Sequence, residues 1–105
     1  MGFDWVFVNP VQRLGASHSL YSIADYFGFN PDFLEPASAT PPEEQFRQTV
    51  AKVRQAGLRL MTDLVINHCA IDSQLTHEHP EWFVRGRDGK IINPSCEHEK
   101  KRVVW

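Results

Sequence analysis

The stretch "LRLMTDLVINHC", residues 58–69, decides the fold because it joins an apolar strand to a polar end. Residues 58–66 predict a buried β-strand, since apolar side chains fall on both of its faces. The same stretch carries Asp63 and ends on Asn67 and His68. Polar groups that are buried without partners cost free energy. A partner or a function is therefore expected for each of these three side chains.

The sequence before this stretch predicts a second strand and a helix. "DWVFVNP", residues 4–10, has the apolar run of a buried strand and stops at an Asn-Pro pair. "TPPEEQFRQTVAKVRQAG", residues 40–57, predicts a helix with Thr40 as N-cap, a capping box completed by Glu43, and a left-handed Gly57 at its end. We interpret the residues between the two elements as a long polar and aromatic loop. This order predicts a right-handed βαβ crossover and an α/β fold class.

Composition restricts the classes of partner. The chain has 105 residues, of which 42% are hydrophobic and 23% charged, with a formal net charge of -2, as in one soluble globular domain. The absence of a basic run argues against nucleic acid and acidic membrane surfaces as partners. No stretch approaches the roughly 18 apolar residues of a membrane helix. The N-terminal stretch has no basic start and is a poor secretory signal, and two cysteines do not make a disulfide framework. We therefore expect a cytoplasmic protein.

The predicted crossover does not cover its own sheet. Two parallel strands and one helix shield one face, although both strands are apolar on both faces, and parallel sheets occur almost only with both faces covered. The chain also starts beside a strand and stops on "RVVW" without a breaker. We therefore interpret it as a piece of a larger α/β protein. The alternative is a small protein that covers its edges by self-association.

The polar residues at the end of the second strand suggest a site. In a barrel of parallel strands, catalytic groups collect at the carboxyl ends of the strands. Asp63 and Asn67 are four residues apart, so on a regular strand they share one face, and His68 follows where the chain leaves the sheet. An acid, an amide and an imidazole at one barrel mouth suit the binding of hydroxyl groups. In the alternative interpretation, Asp63 ties neighbouring backbone amides and His68 caps the strand.

Three motifs, which lie in four partly overlapping stretches of the sequence, resemble the α-amylase superfamily, glycoside hydrolase family 13. "DLVINH", residues 63–68, resembles the motif that closes the third barrel strand, and "YSIADYFGFNP", residues 21–31, resembles the loop after the second strand. "GFDWVFVNPV", residues 2–11, is similar to the second strand, and "QAGLRLMTDLVINH", residues 55–68, to the passage from helix to third strand. The tail "HEHPEWFVRGRDGKI", residues 77–91, resembles maltosyltransferases that use maltose 1-phosphate.

The resemblance implies a fragment of a (β/α)8 TIM barrel. Residues 1–68 would supply strand 2, helix 2 and strand 3 of the catalytic barrel. Residues 69–105 would begin the domain inserted after strand 3, irregular in structure with a short helix and a hairpin. The remainder of the barrel is then the chain's main partner.

The resemblance also implies roles for individual residues. Tyr21 matches the aromatic residue that stacks under the sugar at the cleavage point, and His68 matches the histidine that hydrogen-bonds the primary hydroxyl of that sugar. Asp63 matches an acid that organises this substrate-binding site without being the nucleophile. Asn67 matches a position that in many members bonds the inserted domain or gives a carbonyl oxygen to a structural calcium. Asp25 matches a position that braces the loop.

The catalytic acids of the superfamily lie outside this sequence, on the fourth, fifth and seventh strands, so the isolated chain is predicted to be inactive. The parent protein is expected to be a retaining enzyme acting on α-glucan or maltooligosaccharide, either a hydrolase or a glucanotransferase. No catalytic residue, metal or cofactor is assigned to this chain, and a structural calcium is compatible with the parent. Leu20 replaces a glycine that many members have before the tyrosine, and His18 or Ser19 replaces an Asp or Asn. These departures leave the bond specificity open.

Two other functions remain as alternatives. A non-catalytic carbohydrate-binding remnant would keep Tyr21 and His68 without the acids. A small zinc-binding module would use the residue types that zinc prefers, although their spacing fits no common finger; these are Cys69, His77, His79, Cys96 and His98.

Overall fold

A computed structural model describes residues 2–93 and the backbone of residues 95–98 and 101–104. The chain separates into two compact units, one formed by Met1–Arg13 and Tyr26–Leu64 and the other by Leu14–Asp25 and Val65–Trp105. The elements of the described residues are, in chain order, β1 (Trp5–Val8), β2 (Gln12–Leu14), β3 (Ile23–Phe29), α1 (Pro42–Gln55), β4 (Arg59–Thr62), α2 (Leu75–Glu78), β5 (Ser95–His98) and β6 (Lys101–Val104), with 3-10 helices at Pro31–Phe33 and Pro80–Trp82.

Strands β1 and β4 form a parallel pair in the first unit, which confirms the predicted parallel pairing. Trp5 pairs with Arg59 at one end and Val8 with Thr62 at the other. The prediction that the second strand runs to residue 66 is wrong, because β4 ends at Thr62. Continued pairing would place the next residues opposite Asn9 and Pro10, and a proline has no amide hydrogen to donate. The Thr62 hydroxyl instead donates to the Asn9 carbonyl at 3.3 Å.

Helix α1 begins one residue later than the capping pattern predicts. Pro41 is the N-cap and makes no side-chain capping bond, so the predicted Thr40 capping box is wrong. Gln45 instead orders this end: its Nε2 donates to the Thr40 carbonyl at 2.9 Å and its Oε1 accepts from the Glu35 amide at 2.9 Å. At the other end Gly57 has φ +78°, which confirms the predicted left-handed residue.

The first half of the predicted loop is a β-hairpin. Strands β2 and β3 pair as a two-stranded sheet, and Asn30 closes its open end by donating its amide to the Val11 carbonyl at 2.8 Å. The prediction of an irregular loop between the first strand and the helix is therefore wrong for these residues. The sequence "IADYFGF" of β3 carries Ile, Tyr and Phe, residues that favour strands.

The predicted burial of both strand faces is not reached in the described residues. Trp5, Phe7 and Met61 are about half exposed, at 52%, 50% and 49%. The reason is architectural: α1 packs on β4, and within the described chain no third strand joins this sheet. Apolar strand faces thus stay open to solvent in this part of the molecule.

The second unit contains short elements. Helix α2 is followed by the 3-10 turn Pro80–Trp82, and Arg85 bridges Ile91 across a turn in which Gly89 has φ +77°. Strands β5 and β6 form an antiparallel pair. The side chains of Cys96 and His98, two of the five candidate zinc ligands, lie outside the described residues. None of the described helices has the length and apolar character needed to cross a membrane.

Candidate sugar-binding site

The loop that carries Tyr21 is closed on itself. We name residues 15–22 the Tyr21 loop. Its ends are joined by the Gly15 amide, which donates to the Ser22 carbonyl at 2.9 Å. Inside it, the His18 amide donates to the Gly15 carbonyl at 3.0 Å and the Ser22 amide to the Ser19 carbonyl at 3.0 Å. Two consecutive turns therefore fix the backbone on both sides of the loop tip.

One residue of this loop has an unusual backbone conformation. His18 has φ 56°, in the left-handed region that most side chains avoid. Histidine, asparagine and aspartate enter this region several times more often than other residues. His18 therefore occupies a position where Asp or Asn would suit the same turn, which gives a physical reason for the replacement noted in the sequence.

Tyr21 is partly exposed on this loop. It is 43% exposed, and its backbone amide donates to the Ser19 hydroxyl at 3.4 Å. An aromatic ring with an accessible face can pack on the apolar face of a pyranose, while the phenol oxygen reaches a polar partner. The observed exposure suits the stacking role that the family resemblance implies.

The polar residues after β4 fall into different units. Asp63 is half-buried and belongs to the first unit, immediately after the strand end. Asn67 is exposed and His68 half-buried, and both belong to the second unit, as do Tyr21 and Asp25. The expectation that Asp63 and Asn67 share a strand face is wrong, since the chain beyond Thr62 is no longer strand.

One backbone hydrogen bond joins the two segments that carry Tyr21 and His68. The Ala70 amide donates to the Ile23 carbonyl at 2.8 Å, and both residues are buried. Ile23 lies two residues after Tyr21, and Ala70 lies two residues after His68. The fold therefore brings the aromatic loop and the histidine segment side by side.

Sequence reasoning missed the residues that hold these segments together. The Asp72 carboxylate accepts the Ala16 amide with both oxygens, at 3.1 and 3.2 Å. The buried Ser73 hydroxyl donates to the Ala24 carbonyl at 2.9 Å. Gly15 makes this approach sterically feasible, because a Cβ at that position would lie 2.3 Å from the Ala70 Cβ. The available signal was an Asp-Ser pair soon after His68 and a glycine opening the loop.

These segments also carry a buried hydroxyl, that of Ser22, and a half-buried thiol, that of Cys69. Ser22 is buried, and its hydroxyl oxygen has no hydrogen-bond partner among the described residues. Burial raises the pKa of the Cys69 thiol, partly offset by a hydrogen bond with Ser73. Cys69 therefore stays protonated at neutral pH, which does not favour a role as nucleophile or metal ligand.

The described residues do not by themselves build a calcium site. Calcium takes about six to eight oxygen ligands, and Asn67 offers one amide oxygen. Among the side chains that the structure describes, no group of three or more His, Cys, Asp or Glu residues is placed to hold a metal ion.

Comparison with protein families gives a match over most of the chain. The model of the family described as glycogen debranching enzyme, glucanotransferase domain, matches residues 1–89. An α-1,4-glucan:maltose-1-phosphate maltosyltransferase of Arcanobacterium haemolyticum is 30% identical over all of this chain and 17% of its own length. An intracellular maltogenic amylase of Bacillus subtilis is 30% identical over 78% of this chain and 12% of its own length.

A solved structure has a similar fold. A crystal structure of an α-amylase from Lactobacillus plantarum superposes with a TM-score of 0.70 and 32% sequence identity, covering 86% of this chain and 21% of that one. The present chain thus spans about a fifth of these relatives or less. Its mixed helix and strand content is that of a segment of an amylase domain.

Proposed function

We propose a function from one premise: the chain belongs to the family of the glycogen debranching enzyme glucanotransferase domain, within the α-amylase superfamily. The parent protein is an α-glucan-active enzyme, and this chain is one segment of its catalytic barrel. In it β1 is the second barrel strand, α1 the second helix and β4 the third strand. Residues 69–105 begin the inserted domain. The half-exposed apolar faces of β1 and β4 support this proposal, because neighbouring strands and helices would cover them.

Within that enzyme, Tyr21 and His68 bind one glucosyl unit together. The observation that carries this assignment is the Ala70–Ile23 hydrogen bond of 2.8 Å, which aligns the two segments. The Tyr21 ring stacks on the sugar face, and the His68 imidazole offers one donor and one acceptor to a hydroxyl. Asp63, directly after β4, organises the mouth of the barrel, while Asn67 and Asp25 have structural roles.

The chemistry is retaining cleavage of an α-glucosidic bond. It needs two carboxyl groups roughly 5 Å apart, one as nucleophile and one as acid and base, and those groups come from later strands of the parent. The residues of this chain hold the sugar in place while the bond breaks, which raises the rate through positioning. Hydrolysis or transfer then depends on whether water or a sugar hydroxyl reaches the glycosyl intermediate.

The test is product analysis with the full-length protein. Maltoheptaose is added, and proton NMR follows the anomeric configuration of the first product. We expect the α-anomer, as for a retaining enzyme. A second reaction supplies maltose 1-phosphate as donor with maltooligosaccharide as acceptor; chain extension in steps of two glucose units identifies a maltosyltransferase. No turnover of any α-glucan, or a β-product, would contradict the proposal.

We also propose that the protein works in the cytoplasm. Support comes from the half-buried free thiol of Cys69 and from the name of the Bacillus relative, an intracellular enzyme. Cell fractionation with an antibody against the protein tests this location. Recovery in the secreted fraction would refute it.

A further inference from the structure

We propose that Asp72 is a positioning residue that holds the Tyr21 loop in its sugar-binding form. The inference rests on the proposed role of Tyr21 and adds the means by which that ring is fixed. The positioning segment is residues 70–73, which we name the clasp. It follows His68 directly along the chain.

The clasp contacts the hairpin on both sides of Tyr21. Before the tyrosine, the Asp72 carboxylate accepts the Ala16 amide at 3.1 and 3.2 Å. After the tyrosine, the Ala70 amide donates to the Ile23 carbonyl at 2.8 Å, and the Ser73 hydroxyl donates to the Ala24 carbonyl at 2.9 Å. Hydrogen bonds on both sides of Tyr21 prevent the loop from rotating relative to the clasp. A hydrogen bond on one side alone would allow that rotation.

Of the three contacts, the one to Ala16 is made by a side-chain carboxylate, that of Asp72. The Ala16 amide shares its hydrogen between both carboxylate oxygens. Of the three clasp contacts, the Asp72 contact is also the one made to the part of the loop that precedes Tyr21. Loss of Asp72 should therefore free the part of the loop that leads to Tyr21.

The surroundings of Gly15 show how closely the clasp approaches the Tyr21 loop. A Cβ at this position would lie 2.5 Å from Asp72 Oδ1 and 2.3 Å from the Ala70 Cβ. Real Cβ atoms essentially never come this close to another heavy atom. Only glycine therefore lets the carboxylate reach the neighbouring amide, and the fit is specific to this pair of segments.

The consequence for binding follows from the partial exposure of Tyr21. The residue is 43% exposed, so it does not belong to the buried core. A stacking ring held in place before the sugar arrives loses less entropy on binding. Asp72 acts through Tyr21 and does not itself touch the sugar.

The test uses the full-length protein with Asp72→Ala, Asp72→Asn and the matched control Asp88→Ala. Asp88 is also an exposed carboxylate that accepts a backbone amide, that of Lys90 at 3.1 Å, but it braces a turn elsewhere. Hydrogen exchange of a peptide covering residues 14–25 reports the clasp directly. We expect about tenfold faster exchange in Asp72→Ala. Asp72→Asn, which keeps one acceptor oxygen, should show a smaller change, and Asp88→Ala none.

Kinetics with maltooligosaccharide then tests the positioning role. Asp72→Ala should raise KM about threefold to tenfold, with a smaller change in kcat, since a stacking ring contributes to ground-state binding. In a Tyr21→Ala background the same substitution should change KM no further, because the ring it positions is gone. A loss of overall stability alone would not produce this dependence on Tyr21.

The outcomes separate the two proposals. Unchanged exchange in Asp72→Ala overturns the clasp. Faster exchange with unchanged KM, in a protein where Tyr21→Ala raises KM, overturns the positioning role while the proposed function stands. If Tyr21→Ala itself leaves KM unchanged, the sugar-binding assignment fails, and the role of Asp72 fails with it.

Discussion

Replacing Gly15 with alanine should destabilise the protein more than replacing any other glycine whose surroundings are described. The added Cβ would lie 2.3 Å from the Ala70 Cβ, which is attached to the buried backbone and cannot move away as a flexible side-chain end could. The backbone of the loop or of residues 70–73 must shift instead. Overpacking of this kind costs typically about 1–3 kcal/mol, and the loss of Asp72 contacts adds to it.

Gly57→Ala is the matched control for this prediction. Its Cβ would meet no atom within 4 Å, but φ is +78°, a conformation that costs an alanine roughly 1–2 kcal/mol. Part of that cost is offset because the unfolded chain has less conformational entropy with alanine than with glycine at this position. The assay is chemical denaturation of the full-length protein together with exchange of residues 14–25. Gly15→Ala should lower stability further than Gly57→Ala and, unlike it, speed exchange in the loop. Equal effects of the two substitutions would refute the steric reasoning.

Further predictions concern single groups and the chain as a whole. Ser22→Ala should leave the free energy of unfolding unchanged or raise it by about 1 kcal/mol, because the described residues give this buried hydroxyl no partner; a marked destabilisation by denaturant titration would reveal a partner. In the full-length protein, Cys69, followed by mass spectrometry of its own peptide, should react with iodoacetamide more slowly when folded than in urea from pH 7 to 9, since its raised pKa lowers the thiolate fraction; equal rates would contradict this. The 105-residue chain alone should melt without a cooperative transition, as its apolar strands stay half exposed, and sharp two-state melting of a monomer by circular dichroism would argue otherwise.

The parallel pair and the helix were predictable from local patterns. Apolar runs before Asn9-Pro10 and after Gly57 marked the strands, and helical spacing marked α1. The length of the second strand was not predictable. Strand β4 ends where its partner β1 ends, and that limit depends on the register between residues distant in sequence. The hairpin of β2 and β3 was missed for a similar reason. The aromatic residues of β3 are compatible with a loop as well as a strand, and only the pairing with β2 decides between the two.

The candidate site shows the same division. Tyr21 and His68 were identified from motifs, and the hydrogen bond between Ala70 and Ile23 then placed their segments side by side. The Asp-Ser pair after His68 is visible in the sequence, but it does not identify the partner of Asp72, because Ala16 is 56 residues away and contributes only a backbone amide. Contacts to backbone leave little trace in side-chain patterns, so a positioning residue of this kind requires the structure.

The most direct test of the account is maltotriose binding to the full-length protein by isothermal titration calorimetry, with Tyr21→Ala, His68→Ala and the control Arg47→Ala. Arg47 lies on the exposed face of α1 and pairs there with Glu43 at 2.7 Å. A stacking ring and a single hydrogen bond are each worth about 1 kcal/mol. We therefore expect a roughly fivefold weaker affinity in each site variant and no change in the control. Unchanged affinity in both Tyr21→Ala and His68→Ala would contradict the claim that these residues hold the sugar.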